Sequence, residues 1–101
     1  MPKLYEYLGI IVFFYSNEHE PVHVHGRYGD CESKIEFVLK NGVIEKIELK
    51  SVPGKKPLPV TQAKKFKQLA SLLGDEIVQS WINYFVYNKK IITKKIKGSL
   101  N

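Results

Sequence analysis

Apolar and polar positions alternate in short runs through the first half of the chain, and turn residues bound the runs, as in a series of strands. Residues 4–15 read as the first strand. From Ile10 to Tyr15 both alternating sets are apolar, which fits a strand buried on both faces. Gly9 reads as a bulge or a close backbone approach within it. The second strand is predicted over 22–28, the third over 32–39 and the fourth over 43–49. Gly29-Asp30 fits a two-residue II′ turn, with glycine at the position that needs positive φ. That turn pairs Tyr28 with Cys31, Arg27 with Glu32, Gly26 with Ser33, His25 with Lys34, Val24 with Ile35, His23 with Glu36 and Val22 with Phe37. Apolar meets apolar and charge meets charge, and a slip of one residue would undo the sorting.

Asn41-Gly42 invites a two-residue I′ turn, which would set Phe37 against Lys46. A three-residue loop, Lys40-Asn41-Gly42, instead pairs Leu39 with Val43 and Ile35 with Ile47. It keeps Ile35, Phe37, Leu39, Val43, Ile47 and Leu49 on one face, so it is the expected connection. Residues 51–60 hold three prolines and a glycine and read as a linker. Beyond it the period changes to that of a helix. Phe66, Leu69, Ala70 and Leu73 recur at helical spacing over 61–73. Ile77, Val78, Trp81, Ile82 and Phe85 do so over 75–88. Gly74 suits a helix C-cap and Asp75 the next N-cap. The fold class expected is α+β: a four-stranded antiparallel meander with two C-terminal helices packed on one face. Residues 1–88 form the domain. Residues 89–101 form a basic tail that the pattern leaves open between edge strand, frayed helix and disordered arm.

Composition narrows the class. A chain of 101 residues makes one domain. No apolar run reaches the length of a membrane span, and the N-terminal residues lack an apolar signal core. With one cysteine, Cys31, no internal disulfide can form. A cytoplasmic protein without membrane contact is expected. The net charge of +6 is unevenly placed. Residues 1–50 carry six Lys/Arg against eight Asp/Glu, a balance of −2, and residues 51–101 carry ten Lys against two acids, a balance of +8. That asymmetry points to an acidic partner, nucleic acid or protein, unless it serves solubility alone.

All the histidines lie in one stretch, His19, His23 and His25. On a strand, His23, His25 and Arg27 share a face, while Val22, Val24, Gly26 and Tyr28 share the other. With helices over the Val24/Ile35/Phe37/Ile47 face, the histidine face is expected to lie open. Glu18-His19-Glu20-Pro21, His23, His25 and Tyr28 match a wider pattern: an aromatic strand, Asp/Glu-His-x-Pro-Pro-His-x-His-Ala, then an aromatic. In this the chain resembles an uncharacterised family of small bacterial proteins, a domain of unknown function. Val22 replaces the second proline and Gly26 the alanine. The resemblance covers the first half clearly and the helical part loosely. It implies a small protein partner encoded nearby, in a two-gene module of toxin–antitoxin type.

Three kinds of function fit these residues. In the first, the open face contacts nucleic acid, with or without metal-independent, ribonuclease-like cleavage. His23, His25 and Glu36 then supply base and acid, because a carboxylate opposite an imidazole favours its charged form. Arg27 and Lys34 hold phosphate, and Lys89, Lys90, Lys94 and Lys95 add sequence-independent attraction. This version requires no cofactor. In the second, His19, His23 and His25, with Glu18 or Glu20, bind zinc or a similar divalent metal, as in a metal-dependent hydrolase. In the third, the cross-strand pairs merely stabilise the hairpin, each by roughly 0.2–1 kcal/mol. The face then serves as an interface for a partner or for a second copy in a homodimer. Nucleic-acid association beside a protein partner is favoured over small-molecule catalysis. Cys31 reads as incidental and Trp81 as core.

Overall fold

Three two-residue turns set the first half of the structure. The computed structural model describes residues 2–18, 21–98 and 100. Strands β1 (Lys3–Tyr7) and β2 (Ile10–Phe13) are separate, joined through Leu8 and Gly9, which both carry positive φ (50° and 81°). The expected single strand over 4–15 is therefore a hairpin. Leu8 is an unusual residue in that conformation, and the unbroken apolar run around it disguises the reversal.

The second turn holds as derived. In the hairpin of β3 (His23–Tyr28) and β4 (Cys31–Lys40), Tyr28 pairs with Cys31, Val24 with Ile35 and His23 with Glu36. Of the two turn residues, Gly29 alone has positive φ. The third turn departs from the expected loop. Asn41 and Gly42 both take positive φ, and Lys40 pairs with Val43 across a two-residue turn into β5 (Val43–Ser51). A bulge between Val38 and Leu39 then restores the apolar register, pairing Phe37 with Ile47 and Ile35 with Leu49. The bulge reconciles the preferred turn with the apolar face, at the expense of Val43. Val43 is exposed, and Ile44 packs inward in its place.

Helices α1 (Val60–Leu72) and α2 (Gly74–Phe85) follow the linker with almost no break, Leu73 serving as the joint. Gly74 opens α2 rather than capping α1. A Cβ there would meet Ile44 and Phe37 at 2.9 and 3.6 Å, so close helix–sheet approach accounts for glycine at this position. Both helices cover one sheet face, where Val12, Val24, Ile35 and Phe37 meet Phe66, Leu69, Ile77 and Trp81 in the main core. From the basic tail, β6 (Lys94–Ile96) pairs parallel to β1. The sheet runs β5-β4-β3-β2-β1-β6, so the four-stranded meander expected is a five-stranded one extended by a parallel edge strand. The helices carry the chain from one sheet edge to the other.

Candidate functional site: a histidine–glutamate cluster under the Tyr15–Glu18 turn

The second sheet face is not left open. The residues after β2 double back over it in a turn closed by Glu18 N–H donating to Tyr15 O at 3.1 Å. Beneath lies a small second core. Phe13 is fully buried, its ring stacked on His25 with centroids 5.5 Å apart, and Arg27 Cζ sits 5.0 Å from the ring centre. The Tyr15 ring meets His25 edge-on at 4.5 Å. His23 and His25 are only 5% and 1% exposed. The apolar outer side of β2 is thus covered by the chain itself, which alternation along the strands alone does not reveal.

The polar atoms of this second core converge. His23 Nε2 and His25 Nε2 each lie 2.9 Å from one oxygen, Glu18 Oε1. The opposite nitrogen of each ring also faces an oxygen. His23 Nδ1 is 2.6 Å from Pro21 O, and His25 Nδ1 is 3.2 Å from Glu32 Oε2. Glu32 is buried, and its carboxylate also accepts from the Tyr15 hydroxyl at 3.0 Å. Burial and the bond to Glu32 raise the Tyr15 hydroxyl above its ordinary pKa, so it remains a donor. The Glu18 side chain is 44% exposed and forms the mouth of the cluster.

Proton bookkeeping makes the cluster unusual. A carbonyl only accepts, so His23 Nδ1 carries a proton, and its Nε2 needs a second one to donate to Glu18. His25 likewise needs two protons to satisfy Glu18 and Glu32 together. Both rings would then be imidazolium, with centroids 5.1 Å apart. Burial pushes the His25 imidazole below its ordinary pKa, against the opposing pull of Glu18 and Glu32. Burial works to raise the Glu18 carboxyl, but hydrogen bonds from His23 and His25 outweigh it and hold the group below the usual range. The ligand atoms of Glu18, His23 and His25 all lie within 4.8 Å of one another.

The other candidate residues are dispersed. Glu36, opposite His23 in register, turns to Lys50 Nζ at 2.7 Å and Lys34 Nζ at 3.6 Å, and Lys50 leads the causes that hold its carboxyl low. Arg27 lies over Phe13. Lys94 pairs with Glu76 at 2.8 Å, and Lys95 is exposed on β6. Lys89 and Lys90 are exposed beyond α2. His19 and Glu20, named as ligand candidates, lie outside the described residues. Among the carboxylates, Glu18 stands in the histidine stretch and could be read there. Glu32 and Tyr15 could not. Glu32 is the diagonal cross-strand neighbour of His25, a relation the derived register contained without marking its importance.

Fold and cluster together define a small α+β protein with a buried imidazole pair gated by an exposed glutamate. Residues 9–82 match the family described as a domain of unknown function (DUF4160), and the chain belongs to that family. No curated protein and no solved structure gave a match.

Proposed function

We propose that the protein binds a divalent transition metal, zinc being the natural one, through Glu18 Oε1, His23 Nε2 and His25 Nε2. The observation that carries this reading is the convergence of both Nε2 atoms on one carboxylate oxygen, while each Nδ1 is held by an oxygen acceptor. Metal-ligating histidines are oriented in this way, the far N–H donating to a carboxylate or a backbone carbonyl. One dication also answers the proton problem. It replaces both Nε2 protons, leaves two neutral imidazoles with Nδ1–H intact, and meets the Glu18 carboxylate. Tetrahedral zinc bonds of about 2.0–2.2 Å hold neighbouring ligand atoms roughly 3.3–3.6 Å apart, so the exposed Glu18 carboxylate, now 2.9 Å from each Nε2, would back away to admit the ion.

Three protein ligands with an exposed mouth match zinc centres that keep a position for water, and such centres lower the pKa of that water for hydrolysis. The best-supported reading is therefore a metal-binding protein with a hydrolytic type of centre. Metal analysis of the purified protein tests it. The expected result is one zinc or similar ion per chain, lost in Glu18→Gln while the circular dichroism of the fold is retained. Trace metal only, with no thermal shift on adding zinc, would falsify the reading. His19→Ala separates two forms of the site: retained affinity indicates an open three-ligand centre, lost affinity a closed four-ligand one.

A further inference from the structure

The sheet ends in two unlike edges. On one side β6 is three residues long, and its Lys94 is tied to Glu76. On the other side β5 runs for nine residues, and among the described residues nothing pairs with its outer side. Such a strand presents unpaired N–H and C=O groups at alternate residues, a ready template for a further strand. Val43 and Leu49, toward its two ends, are exposed apolar side chains. Proteins commonly guard an edge of this length with charges that repel a second strand. The charges of β5 are arranged the other way.

Register with β4 fixes the sides. Ile47 and Leu49 stand opposite Phe37 and Ile35, on the helix-covered face. Lys46, Glu48 and Lys50 stand opposite Val38, Glu36 and Lys34, on the face of the histidine cluster. Two copies joined edge to edge about a two-fold axis pair antiparallel, and residues that meet come from the same face. Few registers satisfy this. An axis at Lys46 or at Glu48 sets that residue against itself, and like charges directly opposite are destabilising. An axis at Ile47 sets Lys46 against Glu48 twice. It also matches the strand to itself end to end, Val43 against Ser51, and places Glu45 of the bulge against the regular end at Leu49. An axis at Leu49 sets Glu48 against Lys50 but leaves the start of the strand unpaired, and Lys50 is already held by Glu36 at 2.7 Å. Lys46 and Glu48 are freer, 3.6 Å apart within one chain and with side chains 60% and 40% exposed.

We propose that a second copy of this chain docks on β5, antiparallel about a two-fold axis at Ile47, and extends the two sheets into one. Both histidine–glutamate clusters then lie on the same face of the joined sheet. The pairing rests on the unpaired edge and its charge pattern, and is independent of metal.

The test is sedimentation velocity of the full chain over concentrations from micromolar to millimolar. A monomer that passes into a dimer as concentration rises is expected, with the dimer weakened by added salt. Lys46→Glu alone and Glu48→Lys alone each set like charges across the axis and should weaken self-association by roughly tenfold or more. Both side chains are exposed, so circular dichroism should show the fold retained. Mixed in equal amounts, the two single variants again set opposite charges against each other at both positions. They should form a heterodimer about as tight as the parent dimer, a rescue that no effect confined to one chain can produce. A chain that stays monomeric throughout overturns the proposal. So does a dimer indifferent to both substitutions, which places the contact elsewhere, or one weakened by Glu48→Lys alone, which moves the axis to Leu49. Failure of the mixture to dimerise overturns it as well.

Discussion

Glu32 shows how much depends on single side chains. It faces His25 Nδ1 and accepts from Tyr15, so in the proposed metal site it would orient a ligand without touching the ion. Removing a carboxylate in that role typically lowers metal affinity about 10–100-fold. Glu32→Gln should do so while zinc still binds stoichiometrically at high concentration, as read by competition with a chromogenic chelator. An unchanged affinity would mean that the cluster does not act through its outer hydrogen bonds. Gly26 makes a different point on the opposite face. A Cβ there would meet the Phe66 ring at 2.9 Å. Phe66 is fully buried, so it cannot swing aside. Gly26→Ala should destabilise by about 1–3 kcal/mol in urea unfolding, and adding Phe66→Leu should recover part of that loss.

Among the elements, the two edges of the β1–β2 hairpin are the informative ones. Leu8 holds φ of 50° at the turn and is substantially exposed, so little burial is lost on changing it. Leu8→Asn creates an Asn-Gly pair suited to the I′ turn and should raise stability by up to about 1 kcal/mol. A lower urea midpoint in that variant would show that the apolar contacts of Leu8 outweigh its backbone strain. On the other side, β6 is tied down by Glu76, which accepts from Lys94 at 2.8 Å and from the buried Tyr5 hydroxyl at 2.7 Å. Lys94 first, then Tyr5, hold the Glu76 carboxyl below its ordinary 4.5. A carboxyl depressed in the native state stabilises the fold fully above its unfolded pKa, and that stabilisation fades as pH falls through the lower folded value. Glu76→Gln should therefore be less stable than the parent at pH 7 and close to it near pH 3. The effect should be small, because both charged partners are exposed to solvent. A gap of equal size at both pH values would remove Glu76 as an acid-sensitive tether.

At the scale of the molecule, the proposed metal site would link metal binding to the fold. The cluster joins β3, β4 and the Tyr15–Glu18 turn, so occupancy should stabilise the native state against an unfolded chain in which these groups are apart. Zinc at about 100 times its dissociation constant would add roughly 2.7 kcal/mol. For a domain of this size that is a rise in Tm on the order of 10 °C, reversed by chelator. No helix is long and apolar enough to cross a membrane among the described residues. The charge asymmetry of the sequence resolves spatially as well. In the first half, Lys34 and Lys50 sit beside Glu36 on β4 and β5, whereas the lysines of the second half are distributed over the linker, α1 and the tail.

Local rules were enough for the β3–β4 register, for the two helices and for the faces of Val24 and His23. A two-residue turn fixes which residues face each other, and alternation then fixes the sides. Sequence also brought His23 and His25 together, since residues two apart on a strand must share a face. Local rules failed where two segments compete for one place. The reversal at Leu8-Gly9 is invisible in an apolar run that reads equally well as one long strand. The bulge after Val38 exists because a favoured turn and a favoured core face disagree by one residue. The parallel docking of β6 needs β1 already in place at an edge. Above all, alternation told which side of the sheet the histidines occupy, but not that Tyr15 and Glu18 would fold back to cover them. That covering is a tertiary event, driven by the apolar outer side of β2. It turned an open polar face into a buried cluster and exchanged Glu36, which lies directly opposite His23, for Glu18 and Glu32, which reach the rings through space.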